Sequence, residues 1–412
     1  MHEKWQREPL GTYIRVQGGY AFNSEEFGDE GLPVARISSI RNGKIDLSDA
    51  PRVPISPNLS RFLLNDGDLL IAMSGATTGK TGVFRKSSPF TEAYINQRVG
   101  RVLIKDRHNA NLDYFRYIIE SDAFQRSIAL DAIGGAQPNI SGPDIESFRS
   151  QIPPLSAQRK IAQILRTWDE AIDKLEALRA AKSSALKALT RLMVFGGSRL
   201  TALDAKAAMV PYRWFTLPAD WACVPIDGVA REVSERHTSG GDYEVLSCSK
   251  HDGFVRSLDY FKKQVFSADL DGYKKIWRSD FGFPSNHVEE GSIGLQNLVE
   301  VGLVSPIYTV FRFEPNQVLP EYAFAVLKTA LYRHIFEVST SASVDRRGSL
   351  RWSEFSKIPF PRPSLAEQKA IMEVLQTGKT EVDILGKEIE AMICQKRGLM
   401  QKLLTGEWRV SC

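Results

Sequence analysis

The chain has 412 residues, 43% of them hydrophobic and 25% charged, and its formal net charge is +4. This composition is typical of a globular protein, and the length predicts two to four domains at about 100–200 residues each. There is no apolar run of roughly 18 residues and no apolar N-terminal segment, so we expect neither a membrane-spanning helix nor a secretory signal. The four cysteines form no CxxC pair, which favours the reducing cytoplasm and argues against a zinc ribbon.

Residues 1–152 are predicted to form a mixed α/β domain. Strand-like segments at 32–38, 68–73 and 98–104 are separated by turns rich in Gly, Asn, Asp and Pro. Residues 112–130 are predicted to form one helix whose apolar side chains face inward. A glycine-rich loop at 134–141 then leads to Pro153 and Pro154.

Residues 153–198 are predicted to form a long helix with a coiled-coil seam. Its apolar positions alternate between spacings of four and three residues, and a mean spacing of about 3.5 residues is typical of paired helices. Arg179 and Lys182 interrupt the apolar pattern. We expect Ser156 to be the N-cap and Gly196–Gly197 to end the helix. The seam positions assigned to helix pairing are Ile161, Leu165, Trp168, Ile172, Leu175, Leu186 and Leu189.

The remaining chain repeats this plan. Residues 199–218 are predicted to be a linker, 219–362 a second mixed α/β domain with a helix at 319–338, and 363–408 a second long helix. Its seam is interrupted by Gly378 and Lys396, and the positions assigned to helix pairing are Val382, Leu385, Ile389, Met392 and Leu399.

The two long helices are copies of one another. Residues 153–196 align with 363–406 at a constant offset of 210, and 11 of the 44 aligned positions are identical. Average composition would give about three by chance. Trp5 and Pro9 match Trp221 and Pro225 at the starts of the two domains, which otherwise share little sequence. We therefore predict a tandem duplication whose helices pair as an antiparallel coiled coil, with one divergent domain at each end.

The charge is distributed unevenly. Residues 153–212 carry ten basic and five acidic side chains, whereas residues 1–152 carry 18 of each and residues 213–362 carry 18 and 19. Nucleic-acid-binding domains are more often plainly basic. Composition alone therefore does not identify a nucleic-acid partner.

Signatures of catalysis are incomplete. The segment from Ser74 to Thr81 approaches a phosphate-binding loop, but Ser74 stands where Gly is required, and a strand rather than a helix is predicted to follow. Gln151–Leu155 does not supply the tetrad of an amino-methyltransferase, and the six histidines are too scattered for a metal site. A P-loop-like nucleotide-dependent enzyme and a coiled-coil scaffold without DNA function remain as alternatives.

The overall layout resembles the specificity (S) subunit of type I restriction–modification systems. The motifs that carry the resemblance are the two helix starts, Pro154–Ile161 and Ser364–Ile371, with Gly67–Leu70 and Ser74–Lys80 in the first domain and Val304–Tyr308 in the second. The order and duplication of these motifs make the match specific. The first helix start departs from the family pattern, with Ala157 where the second has Glu367.

The resemblance implies a subunit that reads double-stranded DNA and has no active site, metal or cofactor of its own. Each divergent domain would be a target recognition domain for one half of an asymmetric bipartite site. The paired helices would set the gap between the halves and dock two methyltransferase (M) subunits. S-adenosylmethionine would bind to those subunits, and ATP to the restriction (R) subunits that complete the nuclease.

Candidate DNA-binding residues follow from the side chains that read base edges, which are chiefly Arg, Lys, Asn, Gln and Ser on loops. In the first domain they are Arg36, Ser38, Arg41, Ser74, Thr77, Thr78, Lys80, Asn96, Gln97 and Arg98. In the second domain they are Ser247, Ser249, Lys250, Tyr273, Lys274, Lys275, Ser285, Asn286, Arg346 and Arg347.

Overall fold

A computed structural model describes residues 5–131, 139–199, 208–238, 241, 243–250, 253–261, 264–286, 288–340 and 349–411. The chain divides into two compact units. The first unit comprises Met1–Glu176 and Lys387–Cys412, and the second comprises Ala177–Gly386.

The first unit contains a mixed α/β domain followed by a long helix. Its strands are β1 (Gln6–Pro9), β2 (Ile14–Gly18), β3 (Leu32–Ala35), β4 (Ile40–Arg41), β5 (Gly43–Ile45), β6 (Arg52–Val53), β7 (Leu69–Ala72), β8 (Thr81–Val83), β9 (Tyr94–Ile95), β10 (Val99–Ile104) and β11 (Arg149–Ile152). Its helices are α1 (Leu112–Glu120), α2 (Asp122–Asp131), α3 (Gly142–Ser147) and the start of α4 (Leu155–Val194).

The main sheet of this domain has the strand order β2-β10-β7-β8-β5-β4. Strand β7 is central and entirely apolar, as expected for a strand covered on both faces. Leu69 and Ile71 pack in one core with α1 and α2, whereas Leu70 and Ala72 pack in a second core on the opposite face. The strand alternation therefore divides the domain into two apolar layers.

The second unit has the same general plan with a different sheet. Its strands are β12 (Met209–Pro211), β13 (Thr216–Pro218), β14 (Ala222–Pro225), β15 (Ala230–Glu232), β16 (Leu246–Ser249), β17 (Gly253–Arg256), β18 (Lys274–Trp277), β19 (Phe281–Pro284), β20 (Gly294–Leu295), β21 (Val301–Val304), β22 (Tyr308–Phe313) and β23 (Pro359–Arg362). Its helices are α5 (Ser257–Phe261), α6 (Pro320–Leu327), α7 (Ala330–Ser339), α8 (Trp352–Phe355) and the start of α9 (Leu365–Thr405).

The sheet at the centre of the second unit has the order β15-β22-β19-β20. Its core is aromatic, with the rings of Phe281 and Phe311 stacked at 5.3 Å and Phe313 edge-on to Phe281 at 5.2 Å. In both units the strand that precedes the long helix, β11 or β23, pairs antiparallel with a strand near the start of the domain, β1 or β14. These strands directly follow the matched Trp5 and Trp221, so the anchors found in the sequence mark equivalent places.

Within the second unit, α4 and α9 run antiparallel. Lys182 Nζ lies 2.7 Å from Glu381 Oε2, and a Cβ atom at Gly378 would lie 2.8 Å from Leu186 Cδ1. The residue numbers rise along one helix as they fall along the other, so the predicted direction of pairing is confirmed. In the first unit, Lys396 on α9 forms an ion pair of 2.5 Å with Asp169 on α4.

The residues of the predicted seam are partly or fully shielded from solvent. Every residue assigned to helix pairing is buried or half-buried. Three of the four positions that interrupted the apolar pattern carry specific contacts, whereas Arg179 is exposed. Gly378 admits the Leu186 side chain, whereas Lys182 and Lys396 form ion pairs with the opposite helix.

A buried glutamine ties each domain to its long helix. Gln158 donates from Nε2 to the carbonyls of Asn109 and Pro153, both at 3.0 Å, and accepts from the Asn111 N–H at 2.9 Å. The side chain is 1% exposed. All of its hydrogen-bonding groups are therefore used to hold the loop before α1 against the start of α4.

Gln368 makes the same three bonds in the second unit. It donates to the carbonyls of Gln317 and Pro363 at 2.9 and 3.0 Å and accepts from the Leu319 N–H at 2.8 Å. We call these two arrangements the glutamine clamps. They show that the sequence repeat at the helix starts preserves a three-dimensional joint.

Both long helices are followed by a glycine in the left-handed conformation, and the end of α4 at Gly196 was predicted from the sequence. Gly196 has φ +69° and Gly406 has φ +74°. A Cβ atom at Gly196 would lie 2.4 Å from the Pro218 ring, and one at Gly406 would lie 2.9 Å from the Trp5 ring. Both the backbone angle and the close ring require glycine at these positions.

Three predictions about local structure were wrong. The segments 112–130 and 319–338 are not single helices, because each breaks in the middle. Ser121 and Thr329 accept from the N–H groups of Phe124 and Tyr332 and so cap a second helix. Ser156 is not an N-cap, because α4 begins at Leu155 and the Gln158 N–H bonds to the Pro154 carbonyl.

Candidate nucleic-acid interface

The loops predicted to read DNA converge in the first unit. The Asn96 N–H donates to the Ala35 carbonyl at 3.0 Å, which places the turn at 96–98 beside Arg36. The Met73 N–H donates to the Arg98 carbonyl at 2.9 Å, which places the same turn beside the hairpin that begins at Ser74. The three predicted loops therefore form one surface, although they are far apart in the sequence.

The hairpin at 74–80 is held by backbone and side-chain bonds. It connects the antiparallel strands β7 and β8, with a 3-10 turn at Gly75–Thr77. Gln125 on α2 donates to the Gly79 carbonyl at 3.0 Å, and Gly79 has φ +83° with Gln125 and Ile128 against it. Because a strand follows Lys80, no helix N-terminus is available for a nucleotide phosphate. The structure thus agrees with the rejection of a phosphate-binding loop.

The charged side chains of this surface differ in how they are engaged. Arg41 donates to Asp46 at 3.0 Å and to the Ser38 carbonyl at 3.1 Å, so it is part of the loop's own structure. Ser48 and Arg41 stabilise the charged Asp46 carboxylate by hydrogen bonds and lower its pKa. Lys80 and Gln97 are exposed and make no side-chain hydrogen bond to the described residues. Arg36 and Ser38 are exposed in the same way, so these four side chains of the surface are placed to reach a ligand.

Two features of this surface were not predicted. Asn139 pairs with Ser74 through a β-bridge and accepts from the Arg98 guanidinium at 3.4 Å. Thr77 Oγ1 is buried without a partner among the described residues. The only sequence signal for Asn139 was its place in the glycine-rich loop, most of which lies outside the described residues.

In the second unit several predicted residues surround Tyr308. Its carbonyl accepts from Lys274 Nζ at 2.6 Å, and its hydroxyl accepts from the Cys248 N–H at 2.9 Å. Burial raises the pKa of Tyr308 to about 12 and lowers the pKa of Lys274. Ser285 donates to the Ile307 carbonyl at 2.8 Å, so it lies next to the same strand end.

Most of the predicted side chains in the second unit hold the fold together. Tyr273 and Ser249 are buried, and Ser247 and Ser257 share a hydrogen bond of 2.7 Å. Lys275 forms an ion pair of 2.9 Å with Glu235. Lys250 is exposed and Asn286 half-buried, while Arg346 and Arg347 lie outside the described residues. DNA contact by this set stays a prediction.

The described residues contain no group of three or more His, Cys, Asp or Glu side chains placed to hold a metal ion. Among the described helices, none has the length and apolar character needed to cross a bilayer.

Comparison with known proteins bears on these surfaces. Residues 2–181 match the family described as type I restriction modification DNA specificity domain. In this part the chain is similar to type I specificity subunits. The match spans the first divergent domain and the first part of α4, which are the regions that carry the converging loops and the first glutamine clamp.

Curated specificity subunits align with all or part of the chain. The EcoBI subunit of Escherichia coli is 22% identical over 99% of this chain and 88% of its own length, and the EcoKI subunit of Escherichia coli strain K12 is 26% identical over 99% and 90%. The MjaVIII subunit of Methanocaldococcus jannaschii is 24% identical over 208 residues, which are 49% of this chain and 48% of that subunit. The predicted resemblance to specificity subunits is confirmed.

Solved structures share the fold. The S subunit of a type I system from M. genitalium superposes with a TM-score of 0.50 at 15% identity, covering 98% of this chain and 96% of that one. A chain solved in a study of the assembly and conformational transition of the type I system gives a TM-score of 0.52 at 14% identity and 98% coverage of both chains. The predicted fold, two divergent mixed α/β domains with two long helices, is confirmed.

Proposed function

We propose that this chain is the DNA sequence-recognition subunit of a type I restriction–modification complex. Each divergent domain reads one half of an asymmetric bipartite site on double-stranded DNA. The paired α4 and α9 helices set the gap between the halves and dock two methyltransferase subunits. Unlike domains account for unlike half-sites, and similar helices account for one kind of partner docking twice.

The observation that carries this proposal is the repeated joint between domain and helix. The glutamine clamps hold two dissimilar domains on two similar helices through equivalent bonds. A chain that presents two different reading surfaces on one repeated support is suited to recognise a target in two parts. The converging loops of the first unit supply one such surface.

The chain's own role is recognition without catalysis. Adenine methylation belongs to the partner methyltransferase subunits, which use S-adenosylmethionine. Cleavage belongs to the ATP-dependent restriction subunits that complete the nuclease. We place the complex in the cytoplasm, where it meets the host DNA and incoming foreign DNA.

Genome-wide mapping of methylated adenines tests the proposal. A host that carries the intact system should show a bipartite methylated motif that disappears when this gene is deleted and returns when it is restored. Deletion with no change in the methylated motifs would contradict the proposal. The P-loop alternative is tested separately, because the purified chain should hydrolyse no ATP above the rate of a Lys80→Ala control.

A further inference from the structure

The second unit contains an open groove of about 800 Å³ where α4, α6 and α9 meet. Its floor is apolar and includes Leu186, Phe324, Met372 and Leu375. Six lysine and arginine side chains line it, against two glutamates. The groove thus combines an apolar floor with a basic rim.

The first unit allows this groove to be compared with its counterpart. The loops held by the glutamine clamps correspond with a difference of 208 in residue number. Asn109 and Asn111 bond to Gln158 as Gln317 and Leu319 bond to Gln368. The caps at Ser121 and Thr329 follow the same offset. The long helices correspond at an offset of 210.

In the first unit the corresponding place is filled. The Tyr117 hydroxyl donates to Asp169 at 2.7 Å, and Lys396 Nζ lies 2.5 Å from the same carboxylate and over the Tyr117 ring at 5.3 Å. Beside them, Arg116 pairs with Glu120 at 2.8 Å. One phenol ring, two carboxylates and two cationic side chains therefore occupy this position.

In the second unit each of these groups is replaced. At the position of Tyr117 stands Ala325, and at the positions of Glu120 and Asp169 stand Lys328 and Lys379. Lys328 donates to the carbonyls of Lys250 and Gly291, both at 3.0 Å. Lys379 is exposed and makes no ion pair with the described residues. The ring and both negative charges are missing, and two positive charges stand in place of the carboxylates.

We propose that this groove binds an acidic segment of a partner protein that carries a large apolar or aromatic side chain. The ring of such a segment would cover Phe324 and Leu186, and its carboxylates would meet Lys379 and the other basic side chains of the rim. The first unit shows that an aromatic ring fits at this place, because Tyr117 occupies it. An apolar floor favours a protein segment over a DNA backbone, which offers no apolar surface to bury.

The inferred partner binds once per chain. Its site exists only where Ala325 replaces a ring, whereas the two methyltransferase subunits proposed above use both halves of the repeat. The inference goes beyond DNA recognition and does not depend on it, so the two can fail separately.

The test uses the full chain and a fluorescent synthetic helix as the probe. The peptide carries Tyr and Glu three residues apart, as Tyr117 and Glu120 are, with Leu on the same face and further Glu beside it. Its controls are a peptide of the same composition with the face scrambled and one in which Lys replaces Glu. Fluorescence anisotropy should show saturable one-to-one binding of the first peptide only, weakened by added salt.

Variants of the chain locate the binding. Ala325→Tyr with Lys379→Asp introduces the first unit's residues and should weaken peptide binding at least tenfold. Lys387→Glu changes the charge of an exposed residue on the same helix outside the groove and should leave peptide binding unchanged. Circular dichroism spectra and thermal unfolding of all variants should match those of the unmodified chain, which shows that they fold.

Three outcomes would overturn the inference. The first is no saturable binding of the acidic peptide, and the second is equal binding of its scrambled control. The third is that the Ala325→Tyr, Lys379→Asp variant loses affinity for duplex DNA while keeping affinity for the peptide. That result would assign the groove to nucleic acid.

Discussion

At the scale of single residues, one buried glutamine joins each divergent domain to its long helix. Gln158 and Gln368 recur at matching positions of the two helix starts, and the sequence alone assigns them no role. The structure explains the recurrence, since each satisfies three backbone groups and is itself almost fully buried. A side chain with both a donor and an acceptor is needed at this place, and an isosteric apolar residue would leave the backbone groups unpaired.

Replacing Gln158 by Met should therefore destabilise the first unit by about 2–4 kcal/mol, because the Asn111 N–H and two carbonyls lose their partners. The change in unfolding free energy can be measured by urea denaturation. Gln163→Met, at an exposed position on the same helix, is the matched control and should change stability little. Equal effects of the two substitutions would contradict the structural role of the clamp.

Lys80 and Gln97 should affect DNA recognition differently. Lys80→Ala should weaken binding of the assembled complex to all sequences and reduce its salt dependence, because a lysine contributes mainly to phosphates. Gln97→Ala should lower discrimination at one base pair by about 1–3 kcal/mol, because glutamine reads a base edge. Titrations with matched and single-mismatch duplexes separate the two effects.

Lys86→Ala is the control for this pair, since Lys86 is exposed and lies beyond the far end of β8. It should leave both affinity and salt dependence close to those of the unmodified chain. A uniform loss for Gln97→Ala, with discrimination intact, would remove that residue from base reading.

The thiols should react in an order set by burial. Burial raises the pKa of Cys248 to about 12, so at pH 8 very little of it is the reactive thiolate, whereas Cys394 is exposed. Iodoacetamide at pH 8 should label the peptide containing Cys394 long before that containing Cys248. In denaturing urea the difference should vanish. Early labelling of Cys248 in the folded chain would show that its surroundings are open.

At the scale of elements, the long helices were predictable because one periodic pattern extends over many turns. Lys182, Gly378 and Lys396 interrupt the apolar pattern of the seam, yet each makes a specific contact with the other long helix. Such contacts depend on which residue of the other long helix lies opposite, and the apolar period of one helix does not reveal that residue. They also fix how the helices are matched along their length.

Lengthening the helix pair should change the gap without changing the half-sites. The antiparallel pairing requires a heptad in both helices, one after Ala181 and one after Glu381, so that Lys182 keeps its partner. Seven residues add about 10.5 Å, or roughly three base pairs. Methylome mapping should show the same half-sites with a gap about three base pairs wider. A heptad in α4 alone is the control and should abolish modification by misaligning the seam.

Shorter elements were harder to derive from the sequence. The apolar period of segments 112–130 and 319–338 continues through the breaks at Ser121 and Thr329, so periodicity alone could not place them. These hydroxyl side chains compete for backbone groups and start a new helix. The DNA-binding residues of the first domain were predicted because its loops carry the residue types that read bases, and their contact with DNA stays a prediction. The contacts that bring these loops together join distant parts of the chain.

In the second domain the same residue types were less informative. Lysine and serine residues near β16 and β18 were predicted to bind DNA because their side chains can read bases. In the structure Lys274, Lys275 and Ser247 instead form hydrogen bonds or ion pairs within the second unit. Sequence cannot distinguish a polar side chain that holds a strand end from one that faces a ligand, because the difference depends on the neighbours that folding provides.

At the scale of the whole molecule, duplication is the feature that organises the rest. The repeated helices, the repeated glutamine clamps and the equivalent strand pairs at the two domain starts are preserved, whereas the sheets and their loops differ. Recognition of two unlike half-sites requires two different recognition domains on one repeated pair of helices, and the chain has this arrangement.

Exchange of one recognition domain tests this account most directly. Residues 1–152 are replaced by the corresponding domain of another type I specificity subunit, the remainder of the chain is kept, and methylated adenines are mapped across the genome. The account predicts a motif with one new half, the other half unchanged and the gap conserved. A motif altered in both halves, or one not altered at all in cells that still methylate, would contradict it.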